Sequence, residues 1–216
     1  MHPGLLKKFE NLNDLLSYDS VAYGMGMGIS RQVADGATWL IENFSGKLIL
    51  DADALNSLAK YCSLTDVFSR KKGDVLLTPH VKEFSRLSRK SVDEILASGL
   101  NAANDFALQH GVTVLLKNAV SVIENGKKSC VNERGTAGQA KGGTGDVLSG
   151  VIAGLCASGL SVFDGACAGA YTVGYAAEIA GEKISEYSLT ATDLIAHLGA
   201  SFLRITEDTD KECGND

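Results

Sequence analysis

Four short apolar runs in the first part of the chain each break into a polar or glycine-rich phrase, and this repetition restricts the fold more than any other feature. Asp19 to Tyr23 runs into Gly24-Met25-Gly26-Met27-Gly28, and Lys47 to Leu50 into Asp51-Ala52-Asp53-Ala54-Leu55-Asn56. Val75 to Leu77 ends in Thr78-Pro79-His80, and Val112 to Leu116 ends in Lys117. Runs this short with such apolar content read as buried strands. Helical stretches separate them. Ser30 caps one to about Asn43, with Val33, Ala37, Leu40 and Ile41 on one side; another starts near Val81; a long one fills Ser91 to His110. Strands alternating with helices imply right-handed βαβ crossovers and a mainly parallel sheet. Ligands bind such sheets beyond the carboxyl ends of the strands. All four phrases are therefore expected on one rim.

After Lys117 the pattern changes. Val120 to Ile123 and Lys128 to Asn132 flank Asn125-Gly126, a hairpin turn signal. A glycine-rich stretch follows, then three helices expected over Asp146–Ala157, Val162–Ala180 and Thr190–Leu203. The first two are rich in Gly and Ala, which allows close backbone approach. At the ends, Met1 to Ser17 reads as a connector with a short amphipathic turn, and Thr206 to Asp216 as a polar, acidic, frayed tail after a single domain over 1–205. No internal repeat is visible.

The stretch Gly135 to Gly150, GTAGQAKGGTGDVLSG, carries the chemistry. Gly142, Gly143 and Gly145 let the backbone approach a ligand closely. The helix starting near Thr144–Asp146 offers unpaired N–H groups and a positive dipole end, a setting for phosphate. Asp146 adds a carboxylate at that same point. An anion cradle beside a possible base suits phosphoryl transfer, although no Walker-type GxxxxGK[ST] is present. The structural alternative is a helix cap after an ordinary glycine connector. Asp51 and Asp53 are open to two readings, metal ligation or capping of the next helix. His80 is either a rim contact or a solvated helix-start residue, and Lys117 either meets a nucleotide phosphate or is merely exposed. His2, His110 and His197 are isolated and receive no role.

A net charge of −6 gives no excess of Lys and Arg for a nucleic-acid partner. No signal peptide and no apolar run of membrane-spanning length is present, so no membrane partner is expected. Five cysteines, odd in number and without zinc or redox spacing, fit reduced thiols in a cytoplasm.

Taken together, these phrases resemble the ADP- or ATP-dependent NAD(P)H-hydrate dehydratases. GMGMG is similar to that family's GPGLG, LDADALN is nearly its own phrase, and TPHVKEFSRL resembles TPHxxEFxRL. LLKNAVSVI resembles LLKGAxTVI, AKGGTGDVLSGVIAGLCASG matches the family's most diagnostic segment, and SLTATDLIAHL its closing helix. The resemblance implies a ribokinase-like three-layer α/β/α fold around a central, mainly parallel sheet. It implies repair of hydrated NADH or NADPH with ADP or ATP as phosphoryl donor and Mg²⁺ accompanying the nucleotide. No dedicated protein ligands for the metal are expected. Asp146 would be the catalytic base and Gly142, Gly143, Thr144 and Gly145 the anion hole. Lys117, Asn118, Ala119, Val120 and Ser121, with Gly145, would bind the nucleotide. Gly28, His80, Glu83 and Asp146 would face the hydrate, with Arg86 nearby.

Three departures stand out. Met25 replaces a proline, Asn118 replaces a glycine, and the family usually carries some dozens more residues ahead of this start. The chain is accordingly expected to be a fragment, a missed start, or a shortened member whose substrate side is open or completed by another subunit; this and the Gly/Ala-rich helices lead to an expected homo-oligomer. Competing readings are a ribokinase-like kinase for a vitamin precursor or sugar, and a nucleotide-binding scaffold without turnover.

Overall fold

The computed structural model describes residues 12–213, and the connector expected before Leu12 lies outside the described residues. After a 3₁₀ turn at Leu12–Ser17 the elements are β1 (Ser20–Tyr23), α1 (Arg31–Asn43), β2 (Lys47–Leu50), α2 (Asp53–Tyr61) and α3 (Leu64–Ser69). Next come β3 (Asp74–Leu77), α4 (Val81–Ser88), α5 (Val92–His110), β4 (Thr113–Leu116) and the hairpin β5 (Ser121–Glu124) and β6 (Ser129–Asn132). A second 3₁₀ turn at Ala137–Gln139 leads to α6 (Thr144–Ala157), α7 (Val162–Ile184) and α8 (Ala191–Cys213).

The six strands lie side by side in chain order, parallel from β1 to β4 and antiparallel through β5 and β6. Because successive crossovers step the same way, their helices fall on one face of the sheet. The strand pleat sorts the side chains accordingly. Val21, Leu48, Leu50, Val75, Leu77, Val114 and Leu116 point toward α1–α5, where Leu40, Phe44, Leu58 and Phe84 complete one core. Ile49, Leu76, Leu115 and Ile123 point the opposite way, against Ile152 and Cys156 of α6 and Phe163, Ala166 and Ala170 of α7. The mainly parallel sheet and its two helical coats agree with the expectation.

The glycines of α7 are used within the chain. A Cβ on Gly165 would lie 2.6 Å from Cys156 Sγ, and one on Gly169 would lie 2.5 Å from Ile152 Cγ1. Gly165 and Gly169 thus face α6 of the same molecule.

Three readings of the sequence need correction. The helix expected to end at Leu203 continues to Cys213, so the stretch read as a frayed tail from Thr206 is helical to that point. No proline or glycine interrupts residues 204–212. The helix expected to end at Ala180 runs to Ile184. The six-residue α3 had no counterpart in the reading, being too short to show a period. No described helix is long and apolar enough to cross a membrane.

Candidate active site

The carboxyl ends of β1 to β4 bring the four phrases together, and backbone contacts lock them. Gly24 has φ +124°, and a Cβ there would lie 2.1 Å from the Asp51 carbonyl oxygen, so only glycine lets the turns after β1 and β2 touch. Gly28 N–H donates to Asp53 Oδ2 at 2.6 Å, pinning the GMGMG loop to the start of α2. Lys117 N–H donates to the Pro79 carbonyl at 2.8 Å, joining the ends of β3 and β4.

Asp51 is the hub beneath this rim. It is 2% exposed, a cost that a carboxylate tolerates only when its oxygens are matched by donors. Oδ1 accepts from Lys117 Nζ at 2.9 Å and from Ala52 N–H at 2.8 Å, while Oδ2 accepts from Ser149 Oγ at 2.8 Å. One side chain therefore ties β2 to β4 and to α6. Asp51 and Asp53 both serve protein donors, and no group of three His, Cys, Asp or Glu able to hold a metal lies together among the described residues.

His80 caps α4. Its Nδ1 accepts from Glu83 N–H at 3.2 Å, which leaves the neutral ring's proton on Nε2, and its own N–H donates to Glu83 Oε2 at 2.9 Å. Glu83 is buried in this capping box and also accepts from Asn56 Nδ2 at 3.4 Å. Arg86 Nη1 in turn donates to Asn56 Oδ1 at 2.7 Å. Of this motif the half-exposed His80 ring faces outward, while Glu83 and Arg86 work behind it.

The glycine loop is ordered by its own caps. Thr136 and Gln139 form a capping box, Gly135 N–H donates to Glu178 Oε1 at 2.9 Å, and Gly143 takes φ +91° as the residue before α6. Lys141 Nζ donates to the carbonyls of Tyr187 at 2.7 Å and Leu189 at 2.9 Å, latching the loop to the α7–α8 connection. The N–H groups of Gly142, Gly143, Thr144, Gly145 and Asp146 donate to no protein acceptor among the described residues. Asp146 is exposed, and its carboxylate has no hydrogen-bond or ion-pair partner among them. Free amides and a positive helix end can hold an anion such as phosphate, and a free carboxylate can take a proton.

Beside this turn lies a cavity of about 810 Å³, the size range of small-molecule and cofactor sites. Lys117, Asn118, Ala119, Ser121, Thr144 and Gly145, all expected to meet the nucleotide or its phosphates, line it, as does His80. Val120 is exposed and outside the lining; Gly142, Gly143, Asp146, Gly28 and Glu83 also lie outside it. The cavity thus collects most of the residues expected on the nucleotide side, while Asp146, in the same first turn of α6 as Thr144 and Gly145, is not part of its lining. Arg134, Gln139 and Lys141 line it as well and had received no role. The loop composition around Gln139 and Lys141 was a signal for the latter two. Arg134, held by Glu178 at 2.8 Å and lying over the rings of Tyr171 and Tyr175, carried none.

A mainly parallel α/β sheet with helices on both faces, and a glycine loop entering a helix at its carboxyl edge, defines a ribokinase-like fold. The chain belongs to the NAD(P)H-hydrate dehydratase family, whose model matches residues 1–199. It is 34% identical over 178 residues to an ADP-dependent (S)-NAD(P)H-hydrate dehydratase of Cenarchaeum symbiosum, covering 82% of this chain and 59% of that protein. It is 35% identical over 191 residues to the bifunctional NAD(P)H-hydrate repair enzyme Nnr of Escherichia coli, covering 88% of this chain and 36% of that protein. The chain therefore spans roughly a third to three fifths of the length of these relatives. Among solved structures it resembles the ADP/ATP-dependent NAD(P)H-hydrate dehydratase of Bacillus subtilis, co-crystallised with ATP and Mg²⁺ and soaked with CoA. That match has a TM-score of 0.77 and 27% identity, over 89% of this chain and 71% of that one.

Proposed function

We propose that this chain removes water from hydrated NADH or NADPH at the expense of ADP or ATP. The observation that carries the reading is the first turn of α6, where free amides and the unpartnered Asp146 carboxylate stand at the edge of a cavity of nucleotide size. The nucleotide lies along Lys117 to Ser121 and against Gly145, with its terminal phosphate on the amides of Gly142 to Asp146. The hydrate approaches from the side of Gly28 and His80, whose ring Glu83 holds in place.

Asp146 takes the proton of the ring hydroxyl, and that oxygen attacks the terminal phosphorus as the bond to the leaving nucleotide breaks. The phosphorylated hydrate then loses phosphate together with a proton from the adjacent ring carbon, which restores the dihydronicotinamide double bond. In sum, the elements of water lost by the hydrate end in the released phosphate, as ATP becomes ADP and phosphate, or ADP becomes AMP and phosphate. The residues fit a nucleotide-borne Mg²⁺ better than a resident one, because Asp51 and Asp53 already serve protein donors and Asp146 alone is too few ligands to hold an ion. Such an ion would neutralise charge on the phosphates.

The test combines the chain, Mg²⁺, hydrated NADH and either ADP or ATP. Return of NADH absorbance with stoichiometric phosphate release supports the reading. A stable phosphoester in place of NADH would assign a kinase, and nucleotide binding without turnover would assign a scaffold.

A further inference from the structure

We propose that Asp51 is a positioning residue of the reaction, holding the Lys117 ammonium beneath the first turn of α6 for the phosphoryl group in flight. This rests on the phosphoryl-transfer reading above and assigns a task to a buried carboxylate outside the lining of the cavity. Three observations converge on it. Lys117 Nζ is 2.9 Å from Asp51 Oδ1, and the pair is shielded, its side chains 22% and 3% exposed. A Cβ built on Gly145 would stand 3.6 Å from Lys117 Nζ and 3.7 Å from Asp51 Oδ2, so the ion pair lies directly under the free amides. The second oxygen of Asp51 is held by Ser149, one turn along α6 from Asp146 and Gly145. A single rigid carboxylate thus sets both the place of the cation and the register of the helix that presents the amides.

A lysine on a four-carbon stem is a mobile point charge, and catalysis by charge requires that it be placed before the reaction. In a shielded site the carboxylate would supply that placement, and a shift of about 1 Å in a positioning group can cost ~100-fold in rate.

The experiment is a double-mutant cycle on the whole chain. Asp51→Asn keeps the shape and can still meet Ser149 and Ala52, yet removes the counter-charge of Lys117. The expected result is a kcat lowered at least ~10-fold with the nucleotide KM within ~3-fold, because ground-state binding depends on the backbone cradle. In a Lys117→Met background the same Asp51→Asn change should lower kcat less than ~2-fold further, since the group it acts through is already gone. Equal losses in both backgrounds, or a kcat for Asp51→Asn within ~2-fold of the parent, would overturn the proposal. A crystal structure of the unaltered chain with ADP provides a reading that does not depend on any variant folding. Lys117 still paired with Asp51 while facing a phosphate supports the proposal, and Lys117 swung away from Asp51 refutes it. Absence of turnover in the unaltered chain would instead count against the dehydratase reading, and the structure with ADP would still decide the role of Asp51.

Discussion

Gly143 sits at φ +91° with its position for a Cβ 3.1 Å from Ala191 Cβ, so the entry to α6 asks for glycine on two grounds. A β-branched side chain there is strained by about 1–3 kcal/mol and turns the free amides away from their common focus. Gly143→Val is therefore expected to abolish phosphate release while the rest of the fold survives, as thermal unfolding would show. Asp146→Asn removes the free carboxylate without changing its shape. A loss of turnover of about 10²–10⁴-fold is expected, with nucleotide affinity by calorimetry within a few-fold of the parent; unchanged turnover would remove Asp146 from the chemistry. Both residues were legible in the sequence because they stand within one short phrase. The partnership of Asp51 with Ser149 was not, since 98 residues separate them and neither type announces a partner. Asp53 was read as a ligand or a cap, and the backbone N–H of Gly28 that it accepts from is invisible until the fold is formed.

At the scale of elements, α6 contains its own control. Gly169 of α7 meets Ile152 so closely that an added methyl must push the two helices apart, whereas Gly150 and Gly154 of α6 have nothing within 4 Å of the built Cβ. Gly169→Ala is expected to destabilise by about 1–3 kcal/mol, and Gly150→Ala to stabilise by up to about 1 kcal/mol through helix propensity. Opposite shifts in Tm would establish that packing, not propensity, fixes the glycines of this pair. The elements with a strong period or a named cap, such as α1 with Ser30, and the long α5 were readable to within a residue or two. Those that rest on tertiary support were not. Helix α2 starts after Ala52 at φ +50° with no side-chain cap, and α8 continues past Leu203 to Cys213 with no proline or glycine in between to stop it.

Across the whole molecule, stability is expected to depend on pH through His110. Its ring is wedged between Phe68 and Phe106, its Nδ1 is buried without a hydrogen-bond partner among the described residues, and burial holds its pKa below 6.5. The folded state then binds fewer protons than the unfolded chain. The contribution is complete above the unfolded value of about 6.5 and is lost as pH falls toward the lowered folded value. Tm should decline between pH 7 and pH 5, and His110→Leu should flatten that decline; an equal slope in both would acquit the residue. The strand order has a consequence of another kind. As the chain leaves the ribosome, β1 to β4 and their helices can assemble in sequence, each neighbour arriving next to the last. The face bearing Ile49, Leu76 and Leu115 must then wait, wet and apolar, until α6 and α7 are synthesised to cover it. During that interval the growing polypeptide is a one-sided sheet, and this is the stage of its life at which it most needs a chaperone.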